Sequence, residues 1–504
     1  MERSAGILLP VFSLPSPHGI GTLGRKAYDF IDFLAAAGQK WWQILPIGPT
    51  GYGDSPYQSF STYAGNPYFI DPDLLEGEGL LTKEEIARFE PEVPADRIDY
   101  QELFHKRFAL LRLAARRGLA RDRAQLDRFS EQNAWVRDYA LFMALKDHFG
   151  GAAWSRWPDA DIRRHRPQAV ERYQKLLEED CLFYAYLQLL FTRQWDDLHT
   201  YARGRGIGII GDLPIYVAPD SADVWAEPQF FDLDADFLPR EVAGVPPDAF
   251  SDLGQLWGNP LYNWDRMRAD GYGWWIRRVD GAGKRFDRIR IDHFRAFHDY
   301  WAIPNGLPDA RKGRWKKGPG LELVRILQNW FPQLSFIAED LGDLNDGVRK
   351  LVKDSGWPGM KVMEFAFSPG GEFLPHEHRP NAVCYIGTHD NDTLQGWIDS
   401  AGRKERAFAE KYLGTTRRGL FGAVMRSGLS SVCGLFIAQM QDYLGLGSEA
   451  RINSPGTDSG NWVFRLSPGQ CTPALAERLC GLMRLYGRFP YEKKEKKEDA
   501  APAG

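Results

Sequence analysis

Cysteine is scarce in this chain: there are five among 504 residues, an odd number, and none stand in C-x-x-C spacing. That argues against a disulfide framework or a structural zinc module and fits a reducing compartment. Positive charge is not in excess either. The 63 Lys and Arg face 67 Asp and Glu for a net charge of −4, which leaves no electrostatic footprint for nucleic acid. No run of about 18 apolar residues is available to span a bilayer. The charged opening Met1 to Gly6 meets Pro10 too soon to read as a secretion signal. No repeat or low-complexity segment stands out. The expectation is a cytoplasmic chain with no membrane, no nucleic acid and no obligatory protein partner.

What is present is globular: 43% hydrophobic residues, with 51 Gly and 32 Pro spread along the length. The length suits one large domain with insertions or two or three ordinary ones. The 17 Trp, 20 Tyr and 30 Phe are a high count. They suit either an aromatic core or a surface that stacks on the apolar faces of sugars. Residues 491–504, where Lys493 to Lys497 alternate with Glu, read as a solvated, disordered tail.

Eight short β-rich apolar runs end in Gly, Pro or polar residues and alternate with helical patterns. They cover residues 7–11, 41–46, 208–217, 286–294, 335–340, 360–365, 383–388 and 435–444. In the first helix, Ala27, Phe30, Ile31 and Leu34 recur at i, i+3, i+4, i+7 and Gly38 closes it. Eight strands alternating with helices predict an α/β fold, a (β/α)₈ TIM barrel with insertion subdomains on the C-terminal rim of the strands. On this reading 1–50, 206–217, 285–446 and 464–490 build the barrel. Residues 51–205 form a mainly helical insertion after the second strand, 218–284 a loop insertion after the third, and 447–463 a rim loop after the eighth.

The fourth strand reads Arg288-Ile289-Arg290-Ile291-Asp292-His293-Phe294. With a period of two, the isoleucines share one face, and Arg290 and Asp292 point inward at the strand's end. A cation two residues away favours the ionised carboxylate, and an ionised, fixed carboxylate is what a glycosidic nucleophile needs. An Arg–Asp pair that merely plugs the barrel fits this strand equally well. The fifth strand ends Ala338-Glu339-Asp340-Leu341-Gly342, the seventh Gly387-Thr388-His389-Asp390-Asn391-Asp392, and the third Gly211-Asp212-Leu213-Pro214. One acid at a strand end is usually a helix N-cap. Four such strands, with Arg290, His293 and His389 beside the acids, point to a site on the rim where barrel enzymes build theirs.

Together these motifs resemble the 4-α-glucanotransferases (amylomaltases or disproportionating enzymes) of the wider α-amylase superfamily. The resemblance runs from the first strand to about Tyr486. It rests on Gly53-Asp54-Ser55-Pro56-Tyr57-Gln58, Asp212 to Val217 running into Asp220 to Trp225, and Gly244-Val245-Pro246-Pro247-Asp248 with Trp257-Gly258-Asn259-Pro260. It also rests on Arg290 to Phe294, Glu339 to Gly342, Gly387 to Thr393, and Asn453-Ser454-Pro455-Gly456 with Asn461-Trp462. It implies a retaining transferase of α-1,4-glucan segments, acting on maltooligosaccharides, amylose and glucose without metal or organic cofactor. Asp292 would be the nucleophile, Glu339 the acid and base, and Asp390 the acid that holds the sugar at the cleavage point. Tyr57, Asp212, Arg290, His293 and His389 would line that sugar. Asp248, Phe250, Trp257, Asn461 and Trp462 would sit on the loops that capture an acceptor. Ala296 stands where the family usually has Gly, an added methyl that bears on local packing.

Other motifs point elsewhere. Gly19-Ile20-Gly21-Thr22-Leu23-Gly24 matches a dinucleotide fingerprint, but residues 13–18 separate it from the first strand, and no acid follows at about the twentieth residue. His376-Glu377-His378 lacks the helical spacing of a metal site. Asp458-Ser459-Gly460 lacks the strand context of a nucleophilic serine. The rivals that survive are a hydrolase using the same three acids and a non-catalytic glucan-binding barrel.

Overall fold

The computed structural model describes residues 2–247, 251–342, 344–457 and 459–490. In chain order the strands among them are β1 Ser4–Leu8, β2 Trp41–Gln43, β3 Gly208–Leu213, β4 Glu241–Val245, β5 Gln255–Pro260 and β6 Arg288–Ile291. They continue with β7 Asp299–Pro304, β8 Arg314–Lys317, β9 Ser335–Ala338, β10 Gly359–Val362, β11 Ala382–Tyr385 and β12 Leu435–Gln439. Eight of them form one sheet in the order β10-β11-β12-β1-β2-β3-β6-β9, with every pairing parallel. At the seam between β9 and β10, Ala338 N–H donates to the Pro358 carbonyl at 2.9 Å, and Met360 N–H to Asp340 Oδ1 at 2.7 Å. The sheet thus curls into a nearly closed ring, and the fold is a (β/α)₈ barrel.

A parallel strand buried on both faces must be apolar on both, and β1 and β12 are buried at every position. In β6, Ile289 and Ile291 are fully buried, and Arg290 between them reaches inward to Asp212 on β3. Below that pair Tyr385 Oη donates to Gln43 Oε1 at 2.7 Å, from β11 to β2. The first helix spans Arg25–Ala36 with Ala27, Phe30, Ile31 and Leu34 buried. Gly38 after it adopts φ +69°, the left-handed turn that ends a helix most cheaply at glycine.

Three features depart from the sequence reading. First, after β10 there is no α-helix; only the 3₁₀ turns Met363–Phe365 and Pro375–Glu377 lead to β11. Second, residues 299–317, counted above with the barrel, form β7 and β8 of a second, antiparallel sheet ordered β5-β4-β7-β8. That sheet knits the segment after β3 to the segment after β6, so the rim is one built layer rather than separate loops. Third, the barrel ladders are shorter than the apolar runs. The fourth barrel strand ends at Ile291, which leaves Asp292 in the turn beyond it.

Residues 51–205 are mainly helical, with Tyr100–Arg121, Trp135–His148 and Glu178–Gly204 the longest helices. Between β1 and the helix at Arg25 lie the turn Val11–Ser13 and a loop, so the Gly19–Gly24 motif does not join strand to helix. Among the described residues no helix is long and apolar enough to cross a membrane. The tail 491–504 lies outside the described residues.

Candidate active site

A cleft of about 990 Å³ opens over the C-terminal ends of the barrel strands, within the range of small-molecule sites. Tyr57, Trp257, Asp292, His293, Glu339, His389, Asp390, Asn461 and Trp462 all line it. Asp212 and Arg290 lie just beneath, buried to 3% exposure each.

The floor is an ion cluster. One Arg290 nitrogen, Nη1, donates to both Asp212 oxygens at 2.8 and 2.7 Å and to Asp292 Oδ1 at 2.9 Å. Tyr57 Oη donates to Asp212 Oδ2 at 2.7 Å and bridges to His389 Nε2 at 2.9 Å. The Tyr57 ring lies nearly parallel to that imidazole, with centroids 5.2 Å apart. A single guanidinium thus serves two carboxylates at the floor of the cleft.

The turn after β6 sets the second carboxylate. His293 sits at φ 49°, ψ 47°, a left-handed conformation that costs a non-glycine residue about 1 kcal/mol or more. In it the His293 N–H donates to Glu339 Oε2 at 2.7 Å, while Leu341 N–H donates to Oε1 at 2.7 Å. Trp257 meets the His293 ring edge-on at 4.8 Å. On the far side, Asn453 Nδ2 donates to Asp390 Oδ1 at 2.6 Å and His389 Nε2 lies 3.4 Å from Oδ2.

Burial pushes Asp292 up to about 8, with Arg290 the chief influence pulling it back and Asp212 the next pushing it up. Glu339 is raised by burial as well, and Arg290 again opposes. The sequence reading let Arg290 alone decide that Asp292 is ionised. In the folded site desolvation is the larger influence. Within the pair, Asp292 holds the direct charge-assisted hydrogen bond, and 28% of its side chain is open to solvent. Glu339 instead receives two neutral backbone donors. Burial lowers His389 and takes His293 down to about 3, so both rings are neutral.

Two acceptor-loop residues are seated differently from the expectation. Trp462 is 5% exposed. It lines the cleft with its ring centroid 5.9 Å from that of Tyr57 and 6.1 Å from that of His389, packed against both with little of its surface open. The Asn461 amide is engaged within its own loop: its oxygen accepts from Ser454 N–H at 2.9 Å, and its nitrogen donates to the Thr457 carbonyl at 2.9 Å. Asp248 and Phe250 lie outside the described residues. Sequence reasoning missed Arg451, whose Nη2 donates to the Asp390 carbonyl at 2.6 Å and Nε to the Asn453 carbonyl at 2.7 Å. A bond to a main-chain oxygen leaves no partner side chain to recognise in the sequence. Asn453 stood in a quoted motif, and the fold brings its amide onto Asp390.

Of the metal-like motifs, His376 is exposed beside Glu377, and His378 turns its Nε2 to the Phe373 carbonyl. Among the described residues one trio, His18, Asp71 and Asp73, brings three ligand atoms within 4.8 Å of one another, away from the cleft. Asp71 is already committed there, accepting from the Thr22 hydroxyl and capping the helix Pro72–Gly77. All five cysteines are free thiols.

The family model described as 4-alpha-glucanotransferase matches residues 9–472. The chain is 47% identical over 494 residues to a 4-alpha-glucanotransferase of Thermus thermophilus, covering 95% of this chain and 98% of that one. It is 44% identical to a Clostridium butyricum protein of the same description, covering 95% and 99%. Among solved structures it is similar to an amylomaltase from Streptococcus agalactiae in complex with acarbose. The TM-score there is 0.94 at 40% identity, covering 97% of this chain and all of that one. A Corynebacterium glutamicum amylomaltase at 20% identity and TM-score 0.73 shares the fold, over 97% of this chain and 74% of its own. The chain belongs to the 4-alpha-glucanotransferase family and is an enzyme of that activity.

Proposed function

We propose that the enzyme moves α-1,4-glucan segments from a maltodextrin donor to the 4-hydroxyl of an acceptor glucan or glucose, with retention, through a covalent glucosyl-enzyme. Asp292 attacks the anomeric carbon as the bond to the leaving glucan breaks, and Glu339 gives its proton to the leaving oxygen. The acceptor hydroxyl then returns a proton to Glu339 and displaces Asp292, regenerating both groups. Asp390, steadied by Asn453, binds hydroxyls of the sugar at the cleavage point. Tyr57 and His389 form its neutral wall, and Arg290 and Asp212 orient the nucleophile.

One observation carries this assignment of roles. Arg290 donates to Asp292, whereas Glu339 is held by two neutral N–H groups, so the two carboxyls are unequal. Such inequality separates a nucleophile from a proton carrier. Side chains supply every charge that both steps need, and the proposal includes no metal or organic cofactor. The scarcity of cysteine suits a reducing compartment, and the reading takes the cytoplasm as the site of action, with maltooligosaccharides, amylose and glucose as partners.

Incubation with maltotriose alone tests the proposal. Transfer gives glucose plus a ladder of longer maltodextrins at constant total reducing ends. A rise in reducing ends with no longer products would make the enzyme a hydrolase.

A further inference from the structure

Between the 3₁₀ turn Ser448–Ala450 and the helix Pro473–Leu485, the described residues contain no helix or strand. A segment without a regular backbone ladder takes its position from the bonds it makes to its surroundings. This one lies against the turn that carries His389 and Asp390. Asn453 N–H donates to the His389 carbonyl at 3.1 Å, and its amide to Asp390 Oδ1 at 2.6 Å. Arg451 holds both sides at once. Its Nε donates to the Asn453 carbonyl at 2.7 Å on its own loop, and its Nη2 to the Asp390 carbonyl at 2.6 Å across the gap. Guanidinium is a rigid planar fork, so two short bonds from it fix the spacing of two carbonyls. Those carbonyls belong to the same two residues whose side chains meet.

The turn itself holds Asp390 less firmly. The Asp390 N–H donates to the Thr388 hydroxyl at 3.3 Å, and 44% of the carboxylate side chain is open to solvent. We propose that Arg451 is a positioning residue for transfer: it locks the Asp390 main chain to Asn453, so that the carboxylate meets the sugar in one orientation. Arg451 acts through Asp390 and not on the sugar, and the inference rests on the sugar-binding role of Asp390 proposed above. Its guanidinium also borders a second cavity, of about 380 Å³, together with Asp392, Ser448 and Glu449. Ser454 and Asn461 line both this cavity and the catalytic cleft, so the loop is the wall between them. A small cation in solution can therefore reach the place of the Arg451 side chain without passing the substrate.

Disproportionation of maltotriose by Arg451→Ala, Arg451→Lys and Asn453→Ala tests it, with Asp390→Asn alongside. Arg451→Ala frees both carbonyls, and kcat falls between about tenfold and a hundredfold while KM moves by less than about threefold, the pattern of a misplaced group. Lys keeps the charge but reaches one carbonyl at a time, so its kcat stays down by about tenfold. Millimolar guanidinium chloride, far below what unfolds a protein, raises the kcat of Arg451→Ala by about fivefold or more through the second cavity. It leaves Asn453→Ala, which keeps its arginine, unchanged. The double variant Arg451→Ala/Asn453→Ala is no slower than the slower single one, because both act on Asp390 through one arrangement. Parent-level kcat in Arg451→Ala overturns the proposal, as does full activity of Arg451→Lys or a loss in Arg451→Ala that guanidinium does not relieve. If Arg451→Ala does not fold, Arg451→Lys and Asn453→Ala decide, and parent-level kcat in either overturns it. Full activity of Asp390→Asn would overturn the reading of Asp390 itself, a different failure from any of those.

Discussion

The main-chain N–H of His293 donates to Glu339 Oε2 at 2.7 Å, so the residue next to Asp292 holds the other carboxyl in place. The proposed nucleophile and proton carrier thus meet at one left-handed turn, through which a change in either is felt by the other. Asp292→Asn keeps the size of the side chain and removes its nucleophilicity. Turnover of maltotriose should fall by about four orders of magnitude or more, as it does when one member of a catalytic unit is lost. The melting temperature should stay within a few degrees. Near-parent disproportionation in a preparation free of wild-type enzyme would refute the role of Asp292.

Glu339→Gln should be crippled selectively. The Gln oxygen can still accept from one of the two N–H donors, so the turn survives while the proton is gone. A glycosyl fluoride needs little acid help to leave. With that donor the first step proceeds, the second stalls, and a sugar mass accumulates on the peptide carrying Asp292. Equal loss on both donors, with no adduct by mass spectrometry, would give Glu339 another task.

Arg290→Met should move the whole pH profile. The cation lowers both Asp292 and Glu339, so without it both carboxyls rise further. In the proposed mechanism Asp292 works as an anion, and activity lost as pH falls through its pKa is then lost at a higher pH. Glu339 works as an acid, so the alkaline limb rises too. The kcat/KM bell shifts upward, and stability drops by about 3–5 kcal/mol because Asp212 is left buried without its cation. An unmoved profile would mean that Arg290 only plugs the barrel.

Glu364 offers a stability test of opposite sign to the usual acid. Its folded-state pKa is raised above the ordinary 4.5. The unfolded chain therefore releases the proton first, and stability is full below about pH 4.5 and falls as pH rises toward the folded value. Glu364→Gln removes that loss. Its melting temperature should exceed the parent's near pH 8 and match it near pH 4. Parallel curves across that window would place the charge elsewhere.

What the sequence discloses follows from how each feature is built. The barrel strands are buried on both faces, so they appear as apolar runs, and β1 and β12 could be read directly. Asp212, Asp292, Glu339 and Asp390 were visible because acids at four strand ends exceed what helix capping needs. The rim sheet was not legible: β8 is Arg314–Lys317, with three cations in four residues, and β4 and β5 each contain a glycine. The pairing of β4 with β7, which joins the two halves of the sheet, depends on neighbours more than 50 positions away, and no local period marks it. Glu364 was passed over as the end of an apolar run, since only the folded turn shows the carboxyl facing Gly387 and Asn391.

The last test concerns why sugar, rather than water, intercepts the proposed glucosyl-enzyme. Bulk water outcompetes a dilute acceptor unless the site excludes it or holds the sugar by contacts that water cannot make. Two tryptophans on the rim differ in what they can contribute. Trp257 is half-buried, lines the cleft on β5 and touches His293, so a ring face is available to an incoming sugar. Trp462 also lines the cleft but is buried against Tyr57 and His389, with its N–H on the Ile452 carbonyl and its carbonyl bound by the Tyr100 hydroxyl. Stacking on an aromatic holds a pyranose by its apolar face, and Trp257→Ala removes that hold with little core packing. The ratio of new reducing ends to chain redistribution should rise about tenfold in this variant, with the melting temperature nearly unchanged. Trp462→Ala instead opens a cavity beneath the site, costs about 3–5 kcal/mol of stability, and should lower hydrolysis and transfer in proportion. A rise in the hydrolysis ratio confined to Trp462→Ala would reverse the two roles. Proportional losses in both variants would move water exclusion to the segment around Pro246 and Pro247.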